Sequence, residues 1–150
     1  MEALKERIRR EGRVLPGNII KVDGFLNHRI DTELMDHIAE EFGKHFNMDE
    51  VTMILTAEAS GIALSAIVAH HFHKPMIFAK KAKSDNIEGG LYQSDIYSYT
   101  YKKKVTLLVS KEWLSSDDKV LIIDDFMANG EAMRGLCDIV TAAGATLLGI

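Results

Sequence analysis

The sequence predicts an α/β fold in which a parallel β-sheet is flanked by helices. Short apolar segments alternate with segments of helical periodicity along most of the chain, and one apolar run, residues 120–123, ends directly on two adjacent carboxylates. Alternation of this kind is typical of right-handed crossover units, in which the strands run parallel and ligands bind at their carboxyl ends.

The first third of the chain predicts two helices separated by an extended segment. A charged helix covers residues 2–11, and a Pro-Gly turn leads into an extended stretch at residues 18–22. A second helix begins at an Asp31 cap and runs to about residue 46. Its apolar side chains recur at helical spacing, which predicts that one face is buried: Met35, Ile38, Phe42 and Phe46.

The remaining residues predict strands and helices in alternation. Strands are predicted at residues 51–56, 75–79, 105–109, 120–123 and 145–150. One helix is predicted at residues 61–72, and another begins near Gly130 and ends at Gly144. Between them, residues 84–100 contain two adjacent glycines and no strong helical period. We interpret this stretch as a mobile lid or as a β-hairpin with Tyr97 and Tyr99 on one face.

Length and composition predict one globular domain spanning residues 1–150. Hydrophobic residues make up 47 % and charged residues 27 % of the chain, and no apolar run approaches the ~18 residues that a membrane span needs. The charged start is unlike a secretory signal, so we expect a soluble, cytoplasmic protein. The single cysteine, Cys137, is expected to pack on the apolar side of its helix. A net charge of −4 argues against a nucleic-acid surface.

The run VLIIDDFMANGEA, residues 120–132, carries the strongest functional signal. Backbone N–H groups at the start of a helix have no intrahelical partners, so residues 128–132 can hold a phosphate without a basic side chain. The two carboxylates, Asp124 and Asp125, can accept hydrogen bonds from ribose hydroxyls, directly or through a hydrated divalent ion. The alternative is an ordinary acidic turn between strand and helix, with Asn129 as the helix cap.

This run resembles the phosphoribosyl-pyrophosphate signature of type I phosphoribosyltransferases, and its ANGEA loop is similar to that of the bacterial branch that uses xanthine. The resemblance extends to residues 20–28 and to the AEASGI segment, and it covers nearly the whole chain. It implies the type I phosphoribosyltransferase fold, a central, mostly parallel sheet flanked by helices. A small hood would occupy about residues 1–30 and the core about residues 31–150. Members of the family continue for a few tens of residues further, so we expect part of the C-terminal end of the domain to be missing.

The resemblance also implies an activity. It is purine salvage by transfer of the phosphoribosyl group of phosphoribosyl pyrophosphate to xanthine, which gives xanthosine monophosphate and pyrophosphate. Mg²⁺ would accompany phosphoribosyl pyrophosphate, with Asp124 and Asp125 as possible ligands. The protein would be a homodimer. Asp124 and Asp125 would be the catalytic residues.

The other site residues are assigned by the same resemblance. Those implied to bind phosphoribosyl pyrophosphate are Ala128, Asn129, Gly130, Glu131 and Ala132. Those implied to bind the pyrophosphate group are Glu58, Ala59, Ser60 and Lys81, with a cis peptide bond between Glu58 and Ala59. Those implied to bind xanthine are Ile20 and Asn27. Most relatives have Thr or Ser in the phosphate loop where this chain has Ala128 and Ala132, so backbone donors and Asn129 would do more of the binding.

Two alternative functions remain open. A phosphoribosyl-pyrophosphate-sensing purine regulator would share the sheet but would add a DNA-binding module in front, whereas the residues before the first sheet strand here match the hood. A guanine or hypoxanthine phosphoribosyltransferase would share the whole sugar-phosphate site. The histidines His70, His71 and His73 could suggest zinc, but no Cys or carboxylate pair nearby completes a tetrahedral set.

Overall fold

A computed structural model describes residues 1–17, 19–82, 90–98 and 103–150. Within these ranges the chain forms four helices and eight strands. In chain order they are α1 (Glu2–Glu11), β1 (Arg13–Leu15), β2 (Ile19–Lys21), α2 (Thr32–His45), β3 (Met53–Ala57), α3 (Gly61–His71), β4 (Met76–Ala79), β5 (Leu91–Ser98), β6 (Lys103–Ser110), β7 (Lys119–Ile122), α4 (Glu131–Ala143) and β8 (Thr146–Gly149).

The central sheet has four strands in the order β4-β3-β7-β8, and every neighbouring pair is parallel. Its two faces support separate apolar clusters. Ile54 and Leu121 pack with α2 and α3 on one face, whereas Leu55 and Ile122 pack with α4 on the other. Burial on both faces explains why these strands are continuous apolar runs rather than alternating ones. The predicted parallel sheet flanked by helices is confirmed.

The segment predicted as a strand at residues 105–109 lies in β6 and is not part of the central sheet. It pairs with β5 in an antiparallel hairpin along its whole length, and this hairpin joins the main sheet by a bridge between Lys80 and Leu108. Residues 91–98 are thus one strand of a hairpin, and its other strand lies beyond the stretch 84–100 for which the hairpin was predicted. Residues 83–89 and 99–102, including Tyr99, lie outside the described residues, and the lid remains a prediction.

The helix boundaries follow from local chemistry. The Asp31 side chain accepts a hydrogen bond from the Leu34 N–H at 3.1 Å, which confirms it as the cap of α2. Phe46 is the residue after this helix and is only partly buried, as Phe42 is, so burial of the predicted face is complete only at Met35 and Ile38. Gly144 ends α4 in a left-handed conformation, as predicted.

The N-terminal strands β1 and β2 form a separate two-stranded antiparallel sheet. Strand β1 is not predicted by the sequence because it has three residues, all exposed, and so has no alternation of burial. Four of the large apolar side chains of this hairpin are exposed: Val14, Leu15, Ile19 and Ile20. Over the part of the chain that the structure describes, no helix combines the length and the apolar character that crossing a bilayer requires.

Candidate active site

The candidate site lies where β3 and β7 end side by side. The two strands are parallel neighbours. The Ile123 N–H donates to the Leu55 carbonyl at 3.0 Å, close to the point where both strands end. The loop after β3 contains residues 58–60, and the loop after β7 contains residues 124–130. Adjacent parallel strands therefore bring the two predicted anion-binding loops to one edge of the sheet, as expected for this class of fold.

Asp125 connects three distant segments of the chain. Its Oδ1 accepts a hydrogen bond from Ser60 Oγ at 2.8 Å, and its Oδ2 accepts one from Asn27 Nδ2 at 2.9 Å. Ser60 precedes α3 but makes no capping bond there, so its hydroxyl serves the carboxylate instead. The structure thus brings together residues predicted for three functions, namely catalysis, pyrophosphate binding and base binding.

Asp124 differs from its neighbour because it is largely buried. Burial, followed by hydrogen bonding to the Asp125 side chain, raises the pKa of Asp124 to about 7, although the Asp125 N–H donates to Asp124 Oδ1 at 2.9 Å and works in the opposite direction. A carboxyl group with this pKa is part protonated and part ionised near neutral pH. It can then both donate and accept a hydrogen bond at the sheet edge.

Thr56 and Gly61 surround Asp124, and sequence reasoning did not identify either. A Cβ atom added at Gly61 would overlap both Thr56 Oγ1 and Asp124 Oδ1, so both oxygens occupy the space that a side chain would need at the start of α3. Thr56 is fully buried, and its Oγ1 has no hydrogen-bond partner among the described residues. A hydroxyl in an otherwise apolar strand and a glycine at the first position of a helix are the signals that could have identified them.

The turn before α4 has the geometry of an anion site. Ala128 and Gly130 both have positive φ, at 45° and 76°, and the Gly130 N–H donates to the Met127 carbonyl at 2.8 Å. Helix α4 begins at the next residue, so the N–H groups of its first turn have no helical partners. Gly130 occupies the cap position without a side-chain bond, and the alternative interpretation of Asn129 as the cap is therefore wrong.

The loop after β3 contains the cis peptide bond predicted between Glu58 and Ala59. Glu58 Oε1 accepts a hydrogen bond from the Lys81 backbone N–H at 2.5 Å, which joins this loop to the residues after β4. Both residues line a cavity of about 240 Å³, together with Ala59 and with Lys103 of the β5–β6 hairpin. The structure therefore brings Glu58, Ala59 and Lys81, three of the four residues implied to bind pyrophosphate, to one cavity.

Asn27 and Ile20, the two residues predicted for xanthine, lie in different environments. Asn27 is half-buried and contacts Asp125, whereas Ile20 lies on β2 and is 48 % exposed. A cavity of about 580 Å³ begins at Asp124 and Asp125 and extends between apolar side chains of α1, α2 and α3. Neither Ile20 nor Asn27 lines this cavity, but Leu26, the neighbour of Asn27, does.

Known proteins share both the sequence and the fold of this chain. The profile of the phosphoribosyl transferase domain family matches residues 25–150. The chain is 51 % identical over 150 residues to the xanthine phosphoribosyltransferase of Lachnoclostridium phytofermentans, and the alignment covers 100 % of this chain and 77 % of that relative. It is 50 % identical over 150 residues to the xanthine phosphoribosyltransferase of Ligilactobacillus salivarius, covering 100 % and 78 %. The solved adenine phosphoribosyltransferase from Rhodothermus marinus matches with a TM-score of 0.76 at 21 % identity, covering 99 % of this chain and 84 % of that one.

Proposed function

Because this chain belongs to the phosphoribosyltransferase family and has the type I fold, we propose that it acts in purine salvage. It transfers the phosphoribosyl group of phosphoribosyl pyrophosphate to xanthine, producing xanthosine monophosphate and pyrophosphate. Support for xanthine as the base comes from relatives named xanthine phosphoribosyltransferase, which are 50–51 % identical to this chain over its whole length. The observation that carries the proposal is the Asp125 carboxylate, whose two oxygens are held by Asn27 and Ser60.

The reaction follows from the placement of charge in the site. In our proposal the N–H groups of residues 128–132, except that of Gly130, which donates to the Met127 carbonyl, hold the 5-phosphate of the sugar. This places the ribose beside Asp124 and Asp125. The carboxylates accept hydrogen bonds from the ribose hydroxyls and stabilise positive charge that develops at the anomeric carbon as pyrophosphate leaves. No side chain acts as a covalent nucleophile, so the rate comes from positioning and electrostatics.

We assign the binding of the leaving group, pyrophosphate, to the loop after β3. Backbone donors of residues 58–60 and the Lys81 ammonium would hold the pyrophosphate in the cavity between this loop and the hairpin. One oxygen of the Glu58 carboxylate, Oε1, accepts a hydrogen bond from the Lys81 backbone N–H, which fixes that side chain at the edge of the cavity. The Ser60 hydroxyl orients Asp125, which couples the pyrophosphate side of the site to the ribose side.

The donor set near Asp124 fits a magnesium ion that is bound mainly by substrate. Among the described residues no cluster of three or more His, Cys, Asp or Glu side chains converges as an all-protein metal site. Mg²⁺ needs no such site, because it commonly takes one or two carboxylates and fills its other positions with water and phosphate oxygens. We assign Asp124 and Asp125 as these carboxylates. The ion would neutralise charge on the pyrophosphate group.

The base side of the site and the assembly are further parts of the proposal. The Asn27 amide would form hydrogen bonds with the oxo and N–H groups of xanthine. Ile20, on the exposed β1–β2 hairpin, would cover the ring. Residues 1–30 would form the hood and residues 31–150 the core of one domain. The protein would act as a homodimer in the cytoplasm, as the family resemblance suggests.

A product assay tests this function directly. The chain is incubated with phosphoribosyl pyrophosphate, Mg²⁺ and xanthine, guanine or hypoxanthine, and both the nucleotide and pyrophosphate are quantified. We expect xanthosine monophosphate as the main product and equal amounts of pyrophosphate. Asp125→Asn should lose most of the turnover, whereas Asp117→Asn, in an exposed turn, is the matched control. A preference for guanine or hypoxanthine would overturn the base assignment alone, and no nucleotide with any base would overturn the activity.

A further inference from the structure

Helix α4 and the hairpin β5–β6 are in direct contact immediately beyond residues 128–132, which we call the phosphate turn. Gly135 of α4 has no room for a side chain, because an added Cβ would lie 2.5 Å from Ile96 Cγ2 and 3.0 Å from Leu107 Cδ1. Ile96 and Leu107 are both buried in the apolar cluster on this face of the sheet. The hairpin backbone is thus held against the first two turns of the helix whose N-terminus forms the phosphate turn.

Polar groups continue this contact along one face of α4. Glu131 Oε2 accepts a hydrogen bond from the Tyr97 N–H at 3.2 Å, and Arg134 Nη2 donates to the Asp95 carbonyl at 2.8 Å. The same Arg134 nitrogen donates to Glu131 Oε2 at 3.2 Å, which joins the two side chains. Glu131 and Arg134, which we call the edge clamp, therefore pair with the backbone of β5 as another strand would.

The energetics argue against a purely stabilising role for the edge clamp. Arg134 is 49 % exposed and Glu131 is 36 % exposed, and ion pairs at such positions contribute little to the stability of a fold. The buried contacts at Gly135 already hold the helix and the hairpin together. The edge clamp is therefore better explained by where it holds the negatively charged Glu131 carboxylate.

Glu131 is the first residue of α4, so its carboxylate lies in the first turn of the helix, where the free N–H groups attract anions. A carboxylate in that position competes with a phosphate for the same donors and also repels it. The hydrogen bond from Arg134, followed by that from the Tyr97 N–H, holds the pKa of Glu131 below its ordinary value, so the group stays charged. The same two bonds direct the carboxylate toward β5.

We propose that Arg134 is a positioning residue that keeps the Glu131 carboxylate on the hairpin edge and so leaves the phosphate turn open to the 5-phosphate of the sugar. This inference rests on the proposed function, since it assumes that residues 128–132 bind that phosphate. It predicts an effect confined to ligands that use the turn. Ribose 5-phosphate uses the turn alone, whereas pyrophosphate uses the loop after β3.

The test compares the binding of these two ligands by calorimetry in the Arg134→Met variant. Ribose 5-phosphate and phosphoribosyl pyrophosphate with Mg²⁺ should each bind about fivefold more weakly than to the parent, because one neighbouring negative charge is no longer held away. Pyrophosphate with Mg²⁺ should bind as it does to the parent. Adding Glu131→Gln to the Arg134→Met variant removes the charge and should restore ribose 5-phosphate binding to within about twofold.

Controls separate this mechanism from loss of structure. Arg10→Met removes an exposed Arg–Glu pair on α1 and should change neither ligand's affinity. The melting temperature of Arg134→Met should stay within about 3 °C of the parent, as expected for an exposed ion pair.

Equal weakening of the binding of all three ligands, or no restoration by Glu131→Gln, would show a structural role and overturn the proposal. If the parent itself binds neither sugar phosphate, the proposed function fails. If the parent binds both and Arg134→Met binds equally well, only the edge clamp fails.

Discussion

The sugar-phosphate side and the base side of the candidate site are built in different ways. The first consists of loops that leave the buried strands β3 and β7 and lead into α3 and α4. In our proposal the second depends on the N-terminal hairpin β1–β2, whose apolar side chains are exposed and belong to neither apolar cluster. If the proposal is right, the core fixes the position of the reacting sugar, and we expect a lightly packed segment to select the base. Substitutions on the two sides should therefore have different effects.

The largest effect is expected on the sugar side, from Asp124→Asn combined with Asp125→Asn. Removing both carboxylates should lower turnover by at least ~10²-fold, equivalent to about 2.7 kcal/mol of transition-state stabilisation, because no other acidic group faces the ribose in our proposal. Steady-state kinetics and a folding check by circular dichroism measure this. Asp49→Asn with Asp117→Asn, at exposed positions, is the control. Parent-like turnover in the first variant would exclude the proposed role.

The pH dependence of stability should sharpen the contrast between the buried and the exposed parts of the site. The pKa of Asp124 is raised from 3.8 to about 7, so between these pH values the folded chain binds a proton that the unfolded chain has released. The contribution of Asp124 to stability must therefore fall as the pH rises through this window. Asp124→Asn has no such titration, and its stability relative to the parent should increase by about 2–4 kcal/mol from about pH 4 to pH 8. Urea unfolding in EDTA measures this, and a difference independent of pH would contradict it.

A smaller effect is expected from Gly130→Val in the phosphate turn. Nothing lies within 4 Å of an added Cβ, so the penalty comes from the φ of +76° rather than from a clash. A β-branched residue in this conformation costs about 1–2 kcal/mol and should shift the turn, which weakens phosphoribosyl pyrophosphate binding by about tenfold. Ala132→Ser, inside the same segment but with helical geometry, should bind at least as well as the parent. Calorimetric titration with Mg²⁺ compares them, and equal affinity for Gly130→Val and the parent would refute the role of the turn.

The smallest effect is expected on the base side, from Ile20→Ala. Because Ile20 is about half exposed, its truncation should change the free energy of unfolding by no more than about 0.5 kcal/mol. The KM for xanthine should rise about threefold while the KM for phosphoribosyl pyrophosphate stays constant. Val14→Ala on the same hairpin, at 77 % exposure, is the control and should change neither constant. If both KM values rise together in Ile20→Ala, the two sides are not separable as we describe.

Local sequence determines most of what could be predicted here. The β7 strand, its two carboxylates, the Asp31 cap and the Gly144 stop each depend on neighbouring residues, and the structure confirms them. The cis bond at Glu58 was implied by the resemblance and not by local chemistry.

What could not be predicted depends on distant pairing. Asn27 and Asp125 are 98 residues apart in the chain, so no window of sequence contains their hydrogen bond. The place of β6 in a hairpin beside the sheet likewise depends on its pairing with β5, because an apolar run alone does not specify the partner strand.

The close approach at Gly61 has a consequence for mutational tolerance. Even alanine at this position would place a methyl group against the buried Thr56 hydroxyl and the Asp124 carboxyl group. A saturation library selected for activity should thus reject almost every substitution at Gly61, as strictly as at Asp125, although Gly61 has no side chain with which to touch a substrate. A position can be essential for activity because it leaves space empty, and sequence surveys that score only reactive side chains would overlook it.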